Sequence, residues 1–184
     1  MRRQLVRAAA FAVALFGLSA AGLPTANVVQ PSQARLDEGK VIVHRIHRYE
    51  RATWGWERLM GVRRTQSRRL YLKTRDLDYR LLVLRQWHRR ARHARHRAHN
   101  PPHERAWRCL QRYEGAWTDS SDPYWGGLQM DRSFMRAYAP RHLLRRGWAN
   151  RWSAVEQMWV AERAIRAGRG FYPWPSTARA CGLI

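Results

Sequence analysis

Lysine is almost missing from this chain. Of 35 basic residues only Lys40 and Lys73 are lysine, and the rest are arginine. Carboxylates are scarce too, 13 Asp and Glu in 184 residues, so the formal net charge is +22. Such a chain should be drawn to anionic polymers: nucleic acid, acidic membrane lipid or acidic cell-wall polymer. Arginine adds bidentate contacts to phosphate, although a coding bias toward arginine would leave the same composition. Long apolar runs are missing but for one. Ala8–Leu23 is uncharged and apolar over 16 residues, short of the about 20 that a membrane-spanning helix needs. Behind Arg2, Arg3 and Arg7, and with small residues near its end, it reads as a signal peptide over residues 1–26, cut after Ala21 or Ala26. An uncleaved anchor is the alternative. Either way the remainder is expected to work outside the cytoplasm.

Cysteine is limited to Cys109 and Cys181. No zinc-finger spacing is present, nor an RNA-binding aromatic signature, and export argues further against a nucleic-acid partner. An even count in an exported chain points to a Cys109–Cys181 disulfide, with two unpaired thiols as the alternative. Closing that loop would contribute roughly 4 kcal/mol in the chain-entropy picture.

Composition changes along the rest of the chain. Residues 24–40, with Pro24, Pro31 and Gly39 and few large apolar groups, read as a flexible leader. Residues 27–100 as a whole form a basic helical or linker region: from 35 to 105 there are 20 Lys and Arg against 7 acids, a net +13. Within it, Thr53–Thr65 gathers Trp54, Trp56, Leu59 and Met60 into what the spacing suggests is a small helical knot. Leu70, Leu77, Leu81 and Leu84 make one apolar helical stripe that stops at Trp87. The run "HRRARHARHRAH" beyond it has no apolar face and is expected to fray. His93, His96 and His99 share one side of that helix, but no cysteine or acid is placed to complete a zinc site. The expectation is no metal and no cofactor. Pro101-Pro102 marks the joint, because two prolines stop a helix.

Residues 101–184 carry the chemistry. "ERAWRCLQRY" puts Ala106, Cys109, Leu110 and Tyr113 on one helical face, with Glu114 at its end and Gly115 as terminator. "TDSSDP" is a polar turn, "YWGGLQM" a short aromatic strand whose glycines allow close backbone approach, and "WSAVEQMWVAERAIRAG" an amphipathic helix closed by Gly168. Sugar rings stack on flat aromatic faces, and Trp117, Tyr124, Trp125, Tyr172 and Trp174 are candidates. Cleaving a glycosidic bond needs an acid for the leaving oxygen. Glu114, among Tyr113, Trp117 and Trp125, would be kept protonated by an apolar pocket. Asp119 and Asp122 are explained by turn chemistry, with a second catalytic carboxylate as the alternative. Glu162 and Arg163 read as a structural ion pair or cap.

The order Trp107, Glu114, Trp117, "YWGGLQM" from Tyr124, "VAER" from Val160, "WP" at Trp174 and Cys181 resembles the actinobacterial resuscitation-promoting factors and their transglycosylase-like relatives. The resemblance covers about the last 80 residues and leaves 24–100 unaddressed. It implies a small lysozyme-like fold acting on peptidoglycan, with Glu114 as the catalytic acid and with Gln129 and Tyr124 lining the glycan groove. Three departures stand out. Tyr113 holds the place of the family's cysteine before the glutamate, Cys109 lies one turn earlier, and Cys181 lies several residues past Trp-Pro. The loop after the glutamate is also shorter.

The expected fold is therefore α+β but predominantly helical: a lysozyme-like domain at 101–184 with a short β-hairpin, preceded by the basic helical region. The expected function is a secreted, cell-wall-associated, monomeric lytic transglycosylase or muramidase. It would cut between N-acetylmuramic acid and N-acetylglucosamine with Glu114 alone. Trp117, Tyr124, Trp125, Gly126, Gly127, Gln129 and Trp174 are the expected substrate contacts, and the basic region is expected to hold anionic wall polymer or membrane. A non-catalytic cell-wall or polyanion- or membrane-binding protein is the alternative.

Overall fold

The structure is a computed structural model that describes residues 33–184, and the signal peptide expected over 1–26 lies outside the described residues. Seven α-helices are formed among the described residues, which are predominantly helical: α1 Gln33–Met60, α2 Leu77–His99, α3 Glu104–Glu114, α4 Arg132–Tyr138, α5 Arg141–Leu144, α6 Ala154–Ala164 and α7 Pro175–Ala180. No strand longer than an isolated bridge occurs among them. The expected hairpin is reduced to one antiparallel pair, Trp125 with Met130, whose N–H and C=O groups exchange two 3.0 Å hydrogen bonds. None of the described helices is long and apolar enough to cross a membrane.

The basic region corrects four expectations. Residues 33–40 are the first turns of α1 rather than a flexible leader, and Thr53–Met60 is the last part of that helix rather than a separate knot. The run beyond Trp87 does not fray: α2 continues to His99 and buries Ala91, Ala94 and Ala98. Its stripe Leu84, Trp87, Ala91, Ala94, Ala98 keeps the three-and-four spacing of a packed helix face, with methyl groups where larger side chains are usual. Leu70 is not part of that stripe but sits half exposed in a 3₁₀ turn, Leu70–Leu72.

α1 and α2 lie parallel. Gly39 abuts Leu77 and Arg80, the rings of Tyr49 and His88 stand 4.9 Å apart, and those of Trp56 and His99 stand 5.2 Å apart. Pairings therefore advance together along both chains. Parallel neighbours need a long return. From Met60 the chain must travel back to the level of Gly39, 21 residues or about 32 Å along α1. The 16 residues 61–76 can span about 53 Å when extended. Two buried carboxylates fasten this return segment. Glu57 accepts from the amide and hydroxyl of Thr65, and Glu50 accepts from the hydroxyls of Ser67 and Tyr71, the latter at 3.0 Å. Burial, together with this bond to Glu50, pushes the Tyr71 phenol up to about 12. Ile42, Ile46, Tyr71, Val83, Leu84 and Trp87 close the core of the pair.

The second core belongs to residues from Trp107 onward, but Leu59, Met60 and Ala98, the far ends of α1 and α2, are members of it. Trp159 on α6 donates to the Ala98 carbonyl at 2.7 Å. Arg163 and Arg166 donate to the carbonyls of Arg58 and Met60, both at 2.6 Å. These are carbonyls of the last turn of α1, that of Arg58 shared with the Gly61 amide, where cations also complement the helix dipole. Gln33–Ile184 thus forms one compact unit. Glu162, buried on the same turn, accepts from the His103 amide and from Trp107 Nε1 at 2.8 Å, so "VAER" is structural glue, as expected.

Candidate active site

Three pieces converge around the end of α3. The first is α7. Cys109 and Cys181 are bonded, and Thr177 Oγ1 donates to Glu114 Oε1 at 2.6 Å. Moving forward on α3 pairs with moving backward on α7, so the two helices are antiparallel. One turn from the disulfide, the same pairing brings a hydroxyl to the carboxylate. Glu114 is half-buried. It takes part in no ion pair among the described residues; its partner is a neutral donor.

The second piece is the bend that ends α3. Gln111 Nε2 donates to the Gly115 carbonyl at 2.7 Å. Gly115 has φ 152°, and a Cβ there would meet Asp119 Oδ2 at 3.1 Å and Gln129 Nε2 at 3.3 Å. The Asp119–Gln129 pair therefore packs on the backbone next to Glu114. Gln129 Nε2 donates to Asp119 Oδ2 at 2.8 Å, from a residue held at φ 44°. A left-handed non-glycine residue costs on the order of 1 kcal/mol or more, so the surrounding turn imposes this amide's position. The Ser121 N–H and hydroxyl, and behind them Gln129, hold the Asp119 carboxyl below its usual range. Asp119 thus carries a negative charge at neutral pH. Asp122 instead pairs with Arg132 at 3.1 Å in the open.

The third piece is the Trp125–Met130 turn. A Cβ on Gly127 would lie 2.7 Å from the Trp117 ring and 2.9 Å from Gln111 Cγ, so only glycine lets the turn seat against α3. Gln157, fully buried on α6, ties this region together. It accepts from the Gly127 amide at 2.9 Å and donates to the carbonyls of Trp117 at 2.8 Å and Ala149 at 2.9 Å.

The expected stacking residues separate by burial. Tyr124 is half exposed and Trp117 half-buried, so both present surface. Trp125 and Trp174 do not. Trp125 is 5% exposed and packs on Trp148, while Trp174, 4% exposed, packs on Trp107 and donates to the Leu128 carbonyl at 2.6 Å. These two support the turn from beneath rather than offering faces for a sugar. Gly126 and Gly127 are buried, and Gln129 is half-buried beside Asp119. Tyr113, expected to shelter Glu114, is 60% exposed. Thr177 and Gln157 are the functional candidates that sequence reasoning missed.

Comparison with protein-family models gives no match, and comparisons with curated proteins and with solved structures give none either.

Proposed function

We propose that this protein is an exported peptidoglycan-cleaving enzyme, a lytic transglycosylase or muramidase, with Glu114 as its acid. The observation that carries the reading is Glu114 itself: a half-buried carboxyl at a helix end, held by the Thr177 hydroxyl instead of a cation, beside a turn built around Asp119 and Gln129. The motif order from Trp107 to Cys181 supports the same reading. The finer fold, a lysozyme-like α+β domain with a short hairpin at Trp125–Met130, belongs to this proposal.

In this mechanism Oε1 keeps the hydrogen bond from Thr177 and Oε2 carries the proton. Oε2 donates it to the glycosidic oxygen as the bond to the muramic acid C1 breaks. The Glu114 carboxylate then takes the proton of that sugar's own 6-hydroxyl, whose oxygen closes on C1 to give an anhydro ring. A water in place of that hydroxyl gives the hydrolytic product. The substrate N-acetyl group assists at C1, and the charged Asp119 contributes negative potential near the developing cation. The +13 carried over residues 35–105 holds the enzyme on anionic wall polymer.

The test is mass spectrometry of fragments released from purified peptidoglycan. Glu114→Gln is expected to reduce release by about 100-fold or more, the usual contribution of a general acid. Anhydro ends, lighter by one water, mark a transglycosylase. Unchanged release by Glu114→Gln would eliminate the reading, and no release by the wild-type protein would leave a wall-binding module.

A further inference from the structure

The return segment between α1 and α2 has a feature unrelated to Glu114. Clefts lie on both sides of Gln66–Arg69. One, of about 480 Å³, is walled by Trp54 and Arg64. The other, of about 270 Å³, is walled by Trp87, Gln86 and Arg90. Gln66, Ser67, Arg68 and Arg69 line both. We propose that this ridge, with Arg64, Arg68, Arg69 and Arg90, is a binding site for consecutive phosphates of a phosphodiester-linked polymer.

Four observations support a site rather than diffuse charge. None of the four guanidiniums is engaged in an ion pair or donates a side-chain hydrogen bond among the described residues, so their donors are free for a ligand. Two are oriented in advance. The Arg64 guanidinium lies 3.6 Å from the centre of the Trp54 ring, and that of Arg90 lies 5.0 Å from Trp87. The two tryptophans themselves meet edge to face at 5.8 Å. Arginines stacked on aromatic rings lose less freedom on binding and keep their planar forks for bidentate phosphate contacts. Arg69 sits at φ 51°, an unfavourable conformation for a side-chain-bearing residue, at the turn where the ridge ends.

The nearby carboxylates are also accounted for. Glu50 and Glu57 are buried beneath the segment, with their oxygens taken by the hydroxyls of Thr65, Ser67 and Tyr71 and the amide of Thr65. They fasten the ridge from inside and present no acid at its surface. Two clefts sharing one row of arginines suit a repeating chain of phosphates better than a single ion. The export reading supplies the source, a wall polymer, and the inference rests on the proposed function only for that.

The test is titration of the full exported chain with poly(glycerol phosphate) at several salt concentrations. The comparison ligands are inorganic phosphate, polyglutamate, and phosphatidylcholine vesicles carrying phosphatidylglycerol. The cleft variant is Arg68→Ala with Arg69→Asn, asparagine being tolerated at positive φ. The control is Arg92→Ala with Arg95→Ala, which removes equal charge from the exposed face of α2. The cleft variant is expected to weaken polymer binding about tenfold or more and to lower the salt slope by about two, one per lost contact. The control is expected to cost less than about threefold. Equal loss from both pairs, equal binding of polyglutamate, or binding to the vesicles alone would overturn the proposal. Thermal melting checks that the variants are folded. Glu114→Gln should bind the polymer normally, so failure of the cleavage reading and failure of this one are separable.

Discussion

Thr177 is 63 residues from Glu114 in sequence and 2.6 Å from it in space. Its hydroxyl holds one carboxyl oxygen, and in the proposed mechanism the other carries the proton. A hydrogen bond to a carboxylate is worth about 1.5–3 kcal/mol; if about half of that is felt only in the transition state, Thr177→Val should lower kcat about 3- to 12-fold. KM should change little, the melting temperature should fall by a few degrees from the half that is felt in the ground state, and Thr177→Ser should restore both. An equal fall in kcat for the Ser and Val variants would show that Thr177 does not position the acid through its hydroxyl. Glu114 was legible in the sequence because a helix face, a terminating glycine and a motif order all pointed to it. Thr177 was not, because a threonine after Trp-Pro carries no local signal until α3 and α7 are paired. Gln157 was hidden for a related reason. A glutamine between Val155 and Met158 reads as surface, and only the carbonyls that surround it make it a buried tie.

At the scale of elements, α6 shows how a helix start can be read and tested. Ser153 and Glu156 form a reciprocal capping box, and Arg146 grips Glu156 at 2.6 Å. Burial alone would raise the Glu156 carboxyl, but the hydrogen bonds from Arg146 and the Ser153 N–H outweigh it and leave it below the ordinary 4.5. A carboxyl lowered on folding contributes stability that is present above that value and is lost as the pH falls below it. Glu156→Gln should therefore cost about 1 kcal/mol at neutral pH, near 3 °C in melting temperature for a chain of this size. The gap to wild type should close as the pH falls below 4.5. A gap independent of pH would mean that the charge of Glu156 is not what holds the cap. α6 was readable from its amphipathic face alone, and the Ser153–Glu156 capping box that starts it is what the structure adds. α1 was not, because the stripe it buries runs Gly39, Ile42, Ile46, Glu50, Thr53, Glu57, Met60, half of it polar or bare. Glu50 and Glu57 face the return segment, whose hydroxyls and amide satisfy them, while the Thr53 hydroxyl donates to the Tyr49 carbonyl of its own helix, and no hydrophobic period can announce such a seam.

For the molecule as a whole, the joint at Pro101-Pro102 separates two helices without separating two cores. Leu59, Met60 and Ala98 lie in the same core as Trp107, Leu110 and Met158, and the indole of Trp159 finds its acceptor on Ala98. A fragment of residues 101–184 would uncover that surface. It would leave the Trp159 N–H without its carbonyl and strip Arg163 and Arg166 of the α1 carbonyls that they cap. Three lost apolar contacts at about 1–2 kcal/mol each, with the Trp159 hydrogen bond to Ala98 exchanged for one to water at about 0.5–1.5, match or exceed the stability expected of about 80 residues with a modest core. The disulfide, closing a span of 72 residues within the fragment, offsets roughly 4 kcal/mol of that. The fragment is therefore expected to melt well below the full chain and to unfold when its disulfide is reduced, whereas the full chain should stay folded at moderate temperature after reduction. Calorimetry of both, oxidised and reduced, decides it. Equal melting temperatures for the fragment and the full chain would show that the α1–α2 pair is an independent attachment, and that its contacts with α6 contribute nothing to holding Glu114 in place.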